Sequence, residues 1–596
     1  MTFLEHVDPP LSTPWTARAG PGDVPPEYPR PQLTRPRWLN LNGVWEYAGW
    51  PVSGDEPRPS GYGERILVPF PPESALSGIG RHDEVLWYRR VFEIPEDWRG
   101  GRVLLHFGAV DQSATVWVNN QRVATHEGGH TAFSADITDV LRASGSQELT
   151  VRAEDHTDTA TFPVGKQRND PSGICYTAAS GIWQTVWLEP VPAAHVRALE
   201  ITSDLTGFTV LPQVTGGARV EIVASPNFGD DQVRATGEVG EPVRVAIPRP
   251  RLWSPEDPFL YNLTVRLLDR NGDVLDEAGS YGGLRTVEVV PGADGRPRIA
   301  LNGRVTFVHG PLDQGYWPDG IYTAPTDDAL RFDLERTKEL GFNSVRKHVK
   351  VEPARWYYWT DRLGLLVWQD MPSLTVSFDG PPGPAPDPVP EAKARFEAEL
   401  TEMITQLRGI TSIIGWVPFN EGWGEFDTAR IAESVKKLDP GRLVIANSGV
   451  NCCFSRPDCR VGDVYDDHTY VGPGEPPKDD DRVVFDGEYG GLGLVLDEHR
   501  WPGPPQAYEM ATTAQQLTER YVELSERLER LAREAGLAGA IYTQITDVEN
   551  EVNGFLTYDR RVVKLDLATV AARNRAVIAA GSADAEVSSA APPRSP

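Results

Sequence analysis

The spacing of apolar positions changes rhythm along the chain. From Trp38 to about Pro190 they fall in short alternating runs between turn residues, as in Val103-Leu104-Leu105-His106-Phe107 and Ala114-Thr115-Val116-Trp117-Val118. A period of two puts successive side chains on opposite faces, so these runs read as strands of a β-sandwich. The Asn119-Asn120 pair suits a tight hairpin, because asparagine tolerates positive φ. Residues 191–290 are again strand-like, with Val220-Glu221-Ile222-Val223, Val243-Arg244-Val245-Ala246-Ile247 and Leu260-Tyr261-Asn262-Leu263-Thr264-Val265 spaced as in a small immunoglobulin-like sandwich. After Pro291 strands alternate with helices. The strands expected are 305–309, 344–346, 365–368, 413–419, 443–445, 463–465, 483–485 and 540–544. Helices are expected over 329–340 behind the N-cap Thr326, over 390–407, and over 511–535, where Leu517, Tyr521, Leu524, Leu528 and Leu531 form one apolar face. Eight such units over about 290 residues predict a (β/α)8 barrel. The expected division is 1–190, a β-sandwich with a Pro-rich arm over 1–36; 191–290, the immunoglobulin-like sandwich; 291–581, the barrel; and 582–596, a polar tail expected to be disordered.

Composition narrows the function. Lys+Arg 58 against Asp+Glu 85 gives a net charge of −27, which repels nucleic acid and anionic membrane. No apolar stretch reaches membrane-spanning length, and the first ten residues lack the basic and apolar segments of a secretory signal, so a cytoplasmic location is expected. The 17 tryptophans suit core positions by default, but an indole face also stacks on a sugar ring. Of the four cysteines, Cys452, Cys453 and Cys459 crowd one loop and Cys175 stands apart; reduced structural thiols are expected, with a metal clip as the alternative.

Two glutamates carry the chemistry. Glu421 closes the apolar run from Ile413 to Phe419, and Glu488 closes Val483-Val484-Phe485-Asp486-Gly487. An acid at the end of a buried strand costs free energy unless it has a task, and a barrel places its active site at the C-terminal strand ends. Arg346 and His348 fall at the end of the second strand, Asp370 after the third, His468 and Tyr470 after the sixth, and Gln544 and Asp547 after the eighth. Any one of these alone reads as structural; their shared placement points to a site. The segment Asp463-Val464-Tyr465-Asp466-Asp467-His468 alternates sides as a strand, so its acids do not converge on a metal. Paired carboxylates in one pocket are the chemistry of glycoside hydrolysis.

Over about residues 30–580 the chain resembles glycoside hydrolase family 2, the β-galactosidase, β-glucuronidase and β-mannosidase group. The motifs carrying the likeness are Arg37-Trp38-Leu39-Asn40-Leu41-Asn42-Gly43-Val44-Trp45, Val85-Leu86-Trp87-Tyr88-Arg89-Arg90, Gly181-Ile182-Trp183-Gln184-Thr185-Val186-Trp187-Leu188, Asn343-Ser344-Val345-Arg346-Lys347-His348, Leu363-Gly364-Leu365-Leu366-Val367-Trp368, Asn420-Glu421 and Glu488-Tyr489. The resemblance implies a jelly-roll-like sugar-binding domain, an immunoglobulin-like domain and a catalytic TIM barrel. It also implies a retaining, two-step mechanism on a carbohydrate substrate, with Glu488 as nucleophile and Glu421 as acid/base. Tyr470 and Arg346 would hold the charge of Glu488, and Asn420 would meet the sugar 2-hydroxyl. His348 and His468 would be hydroxyl ligands, Asp370 and Gln544 further substrate contacts, and Trp423 and Trp501 stacking walls.

Two departures refine the expectation. Where metal-dependent β-galactosidases of the family place a Glu and a His, this chain has Leu374 and Val376, which cannot ligate a hard cation, so no metal or other cofactor is expected. Where the β-glucuronidases carry an Asn-x-Lys pair before a glycine, this chain has Glu551-Val552-Asn553-Gly554; an acid there repels a uronate. A neutral glycone is therefore expected, β-galactosyl first, with galactofuranosides, arabinopyranosides, β-mannosides and a transglycosidase as alternatives. A non-catalytic sugar-binding protein would be expected to have lost Glu421 or Glu488. The sequence leaves a homo-oligomer open.

Overall fold

The computed structural model describes residues 6–22, 25–50, 58–226, 231–378, 383–475, 477 and 479–583. The tail expected from Ser582 lies, beyond residue 583, outside the described residues. In the first domain a six-stranded sheet containing Gly43–Trp50, Val85–Phe92 and Gln147–Glu154 faces a four-stranded sheet containing Arg102–Phe107 and Val186–Val191. Their inward residues, among them Trp45, Tyr47, Tyr88, Leu105, Val116, Val151 and Leu188, form one buried cluster. Asn119 and Asn120 form the turn between Ser113–Val118 and Gln121–Glu127, at φ 49° and 67°. The second domain packs a three-stranded sheet on a four-stranded one around Val210, Ile222, Val245, Leu263 and Val265.

The third domain is a TIM barrel of eight parallel strands: β1 (Val308–Asp313), β2 (Ser344–Lys347), β3 (Leu366–Asp370), β4 (Ile413–Val417), β5 (Leu443–Val444), β6 (Val464–Thr469), β7 (Val483–Gly490) and β8 (Gly539–Thr543). Their order is β5-β4-β3-β2-β1-β8-β7-β6, and a parallel bridge from Ile445 to Val464 spans the remaining seam. Strands walled on both faces must be apolar throughout, and β4 is buried at every position. Helices α1 (Asp327–Glu339), α2 (Ala354–Leu363), α3 (Pro390–Leu407), α4 (Thr428–Leu438), α5 (Ala514–Arg530) and α6 (Leu567–Gly581) form the outer ring. Thr326 caps α1 by accepting from the Ala329 N–H at 3.2 Å. Helix α5 starts later than 511, because Thr513 caps it at the Gln516 N–H, while Glu509–Ala511 instead pairs with Leu492–Leu494 as a short strand. No helix among the described residues is long and apolar enough to cross a membrane.

The domains are fastened across the barrel mouth. A loop of the first domain lies against the chain following β3: Val164 and Gly165 both donate backbone N–H groups to the Ser373 carbonyl, at 2.8 and 3.0 Å. The N-terminal arm straps the assembly, with Thr34 paired to Gly279 of the second domain and the Thr13 hydroxyl donating to Asp319 at 2.9 Å.

Candidate active site

The chain after β4 turns sharply to present its acid. Glu421 sits at φ 51° and Gly422 at 75°; a Cβ on Gly422 would come within 2.2 Å of the Phe454 backbone, so only glycine fits there. The Glu421 N–H donates to the Ser448 carbonyl at 2.7 Å, which pins the turn to the chain after β5. Glu488 needs no such turn: it lies within β7, next to His468 in the register with β6. Both acids line one hollow, together with Lys166, Ile174, Leu312, His348, Trp423, Tyr470, Tyr508, Thr543 and Glu551. A carboxylate oxygen of Glu421, one of Glu488 and a ring nitrogen of His468 all lie within 4.8 Å of one another.

A set of donors holds Glu488 as an anion. Tyr470 donates to its Oε2 at 2.6 Å and Arg346 Nη1 to its Oε1 at 3.3 Å. Burial raises the carboxyl's pKa, but its neighbours, foremost His468, then His348 and Arg346, outweigh it and hold the value at about 2. His468 is the reciprocal case. Burial disfavours its charge, yet the negative charge of Glu488 and the hydrogen bond to Glu421 raise it to about 9. Its Nδ1 is 2.9 Å from Glu421 Oε1, and its Nε2 is 2.7 Å from the Ser448 hydroxyl. His348 goes the other way: burial, reinforced by the Lys166 charge, drives it well below the ordinary imidazole range, so it stands neutral with Nδ1 2.9 Å from Asp370.

The structure gathers most of the expected residues but redistributes their roles. His348, Glu421, Trp423, Tyr470 and Glu488 line the hollow. Asn420 accepts from Arg346 through its side-chain oxygen at 2.7 Å and leaves its buried Nδ2 without a partner. Arg346 is almost wholly enclosed and acts on Glu488 and Asn420 from behind. Four of the expected substrate contacts are corrected. Both ring nitrogens of His468 are engaged by protein, so it is a partner of Glu421 rather than a hydroxyl ligand. Asp370 is fully buried, accepting from Arg346 at 3.0 Å and from the Val349 N–H at 3.3 Å, which makes it a support for Arg346 and His348. Gln544 is likewise enclosed and donates to Asn553 at 2.7 Å, while its neighbour Thr543 faces the hollow. Trp501 does not line the hollow; it packs edge-on against Tyr558, 5.6 Å between ring centres. Asp547 is also buried, as the partner of Lys564 at 2.6 Å.

Sequence reasoning missed Lys166 and Tyr508. Tyr508 stacks on Tyr470 at 3.7 Å and so fixes the phenol that holds Glu488. Neither residue lies at a barrel strand end, and the strand-end rule could not find them. Glu551, noted only for what it replaces, lines the hollow and accepts hydrogen bonds from the Tyr176 hydroxyl of the first domain and from Asn553 Nδ2. The expectation of reduced thiols fails for Cys452 and Cys453, which are joined as a disulfide, the turn at Cys453 (φ 64°) bringing the neighbouring side chains together; Cys175 and Cys459 are free. Cys452 Sγ lies 3.5 Å from Glu421 Oε1. Leu374 and Val376 are buried.

Three family models match the chain in order: "Glycosyl hydrolases family 2, sugar binding domain" over residues 60–189, "Glycosyl hydrolases family 2" over 204–285, and "Glycosyl hydrolases family 2, TIM barrel domain" over 299–467. Among curated proteins, a β-glucuronidase of Paenibacillus borealis is 26% identical over 456 residues, 70% of this chain and 74% of that protein. A β-galactosidase of Thermoanaerobacter pseudethanolicus is 27% identical over 384 residues, 60% of this chain and 48% of that one. The chain thus spans about three quarters of the first relative and about half of the second. Of solved structures, the Ruminococcus gnavus β-glucuronidase superposes with TM-score 0.72 at 20% identity, over 91% of this chain and 99% of that one, a likeness of fold.

Proposed function

The chain belongs to glycosyl hydrolase family 2 and is a glycoside hydrolase, and from that premise we propose that it removes a terminal neutral sugar, β-galactosyl first, with retention of configuration. The observation that carries the reading is the approach of Glu421 and Glu488 within one hollow, with one oxygen of each no more than 4.8 Å apart. Retaining glycosidases hold their carboxyl groups about 5–5.5 Å apart, whereas inverting ones leave about 6.5–9.5 Å for a water.

In the first step Glu488 attacks the anomeric carbon as the bond to the leaving oxygen breaks, and Glu421 gives its proton to that oxygen. Glu488 is thereby esterified to the sugar and loses its charge. In the second step Glu421 takes a proton from water, the water oxygen attacks the anomeric carbon, and the ester bond breaks to release Glu488 as carboxylate. His468, against Glu421, keeps a second proton at hand and stabilises the carboxylate formed when Glu421 has given up its own. The unpartnered Asn420 Nδ2 is the donor for the sugar 2-hydroxyl.

The relatives named β-glucuronidase supply the competing glycone. Against a uronide stand Glu551 on the wall of the hollow and Asn553, whose amide already serves Glu551 and Gln544. A panel of nitrophenyl glycosides (galactopyranoside, galactofuranoside, mannoside, arabinosides, glucuronide) tests the reading on wild type and Glu488→Ala. A neutral β-glycoside should be cleaved, the variant should lose nearly all turnover, and NMR should show the anomer of the substrate formed first. Faster cleavage of the glucuronide, or first release of the opposite anomer, would overturn it. Chelator is expected to leave the rate unchanged; a loss restored by magnesium would reverse that expectation.

A further inference from the structure

Lys166 is a buried cation without an anion. It is 6% exposed, and the other three buried lysines show how this protein ordinarily treats such a group. Lys347 pairs with Asp313 at 2.7 Å and Glu352 at 2.8 Å, Lys350 donates to the Tyr322 carbonyl at 2.9 Å and sits 3.1 Å from Glu352, and Lys564 pairs with Asp547 at 2.6 Å. Among the described residues no acceptor is paired with the Lys166 ammonium; its neighbours are the rings of Tyr176 and Trp423, at 5.4 and 5.8 Å from their centres. Ring faces compensate a cation only in part, so the ammonium keeps unused donors. The ammonium instead faces the hollow that holds Glu421 and Glu488.

The backbone holds it there from both sides. Val164 and Gly165 donate to Ser373, Gln167 donates through Nε2 to Asp111 at 3.0 Å and accepts from the Ala179 N–H at 2.7 Å, and the Lys166 carbonyl accepts from the Tyr176 N–H at 2.9 Å. Gly165, at φ 60°, passes so close to the barrel that a Cβ would lie 2.4 Å from the Val349 carbonyl, one residue beyond His348. Lys166 is thus an element of the first domain locked onto the barrel's site.

We propose that Lys166 is a specificity-determining residue, its ammonium donating hydrogen bonds to hydroxyl groups of a neutral glycone while Glu551, held by Tyr176, accepts from hydroxyls on the same sugar. The proposal rests on the reading of this hollow as the glycone site. The chemistry of the pair favours hydroxyls over a carboxylate. A hydroxyl both donates and accepts, so it satisfies an ammonium and a carboxylate together. A uronate would satisfy Lys166 but would add a fourth carboxylate to a hollow that already holds Glu421, Glu488 and Glu551.

The test compares wild type with Lys166→Met, which keeps the apolar stem and removes the charge, and with Lys166→Arg. The whole nitrophenyl panel is run on each, followed by the monodeoxy analogues of the best neutral substrate. For that substrate, Lys166→Met should raise KM at least tenfold with kcat within about threefold, and Lys166→Arg should recover part of the loss. One deoxy analogue should bind wild type and Lys166→Met equally, which identifies the contacted hydroxyl and which a merely structural lysine would not produce. An unchanged KM in a folded Lys166→Met, or an equal penalty on every deoxy analogue, would overturn the proposal while leaving the glycosidase reading intact. It would also fall if wild type preferred the glucuronide and Lys166→Met lost that activity selectively. The reading of the hollow itself stands or falls separately, on whether Glu488→Ala abolishes turnover.

Discussion

At the scale of single residues, the site is a small charge network whose balance sets its pH range. Glu488 is held at about 2 against an ordinary 4.5, so its contribution to stability is complete above 4.5 and is lost as pH falls toward 2. His468 is raised from 6.5 to about 9, so its contribution is complete below 6.5 and is lost as pH rises through 9. The two shifts share the Glu488–His468 interaction, alongside those of Glu488 with Arg346 and Tyr470 and of His468 with Glu421, and are not added. The thermal midpoint should therefore be highest between about pH 4.5 and 6.5, and His468→Gln should flatten its alkaline decline. Parallel alkaline decline in wild type and variant, followed by calorimetry from pH 4 to 10, would show that the decline has another source. A second expectation concerns Tyr470. Its bond to Glu488 is charge-assisted, and such bonds contribute about 1.5–3 kcal/mol. Tyr470→Phe should lower kcat by roughly tenfold to a hundredfold and should move the acidic limb of the rate profile upward, because Glu488 loses a donor to its ionised form. A profile identical to wild type would remove Tyr470 from that role.

At the scale of elements, the catalytic geometry depends on how β4 packs. Gly415 lies in the middle of that strand, and a Cβ there would sit 2.0 Å from the Trp368 ring of β3. Gly415→Ala forces either the indole or the strand to shift, an overpacking cost of about 1–3 kcal/mol, and carries Glu421 with it, so a lower melting point and a disproportionate fall in kcat are expected. Thr513→Ala, which removes the α5 cap far from the site, should cost about 1 kcal/mol with kcat unchanged. If the two variants lost activity equally, strand packing would not be what aims Glu421. The same elements show what the sequence made legible. Barrel strands announce themselves because both faces are buried, and Glu421 and Glu488 stood out as acids ending apolar runs. Roles behind the front row were not legible in that way. Whether His468 meets a sugar or Glu421, and whether Asp370 meets a sugar or Arg346, depends on side-chain directions that a strand-end rule does not contain. Trp501 misled because a tryptophan near a barrel mouth has the same composition whether it faces a ligand or Tyr558.

At the scale of the molecule, the hollow is not complete within the barrel. Lys166 and Ile174 come from the first domain, as does Tyr176, which holds Glu551, and residues from distant parts of the chain converge there in a way no local pattern signals. The first domain is also docked on α3, where Glu399 accepts from the His130 N–H at 2.9 Å and Gln406 accepts from the Ala132 N–H at 3.0 Å, so the loop bearing Lys166 is not the sole attachment. That separation permits a test of the assembly. Gly165→Ala sets a methyl against the Val349 carbonyl and at a positive φ, and both effects lift the loop from the barrel. The contacts with α3 should hold the domains together, so the protein should remain folded as one unit by calorimetry. With the loop displaced, KM should rise tenfold or more while the chemistry of Glu421 and Glu488, which belong to the barrel alone, changes kcat far less. Wild-type KM in Gly165→Ala would mean that the first domain stabilises the fold without shaping the site.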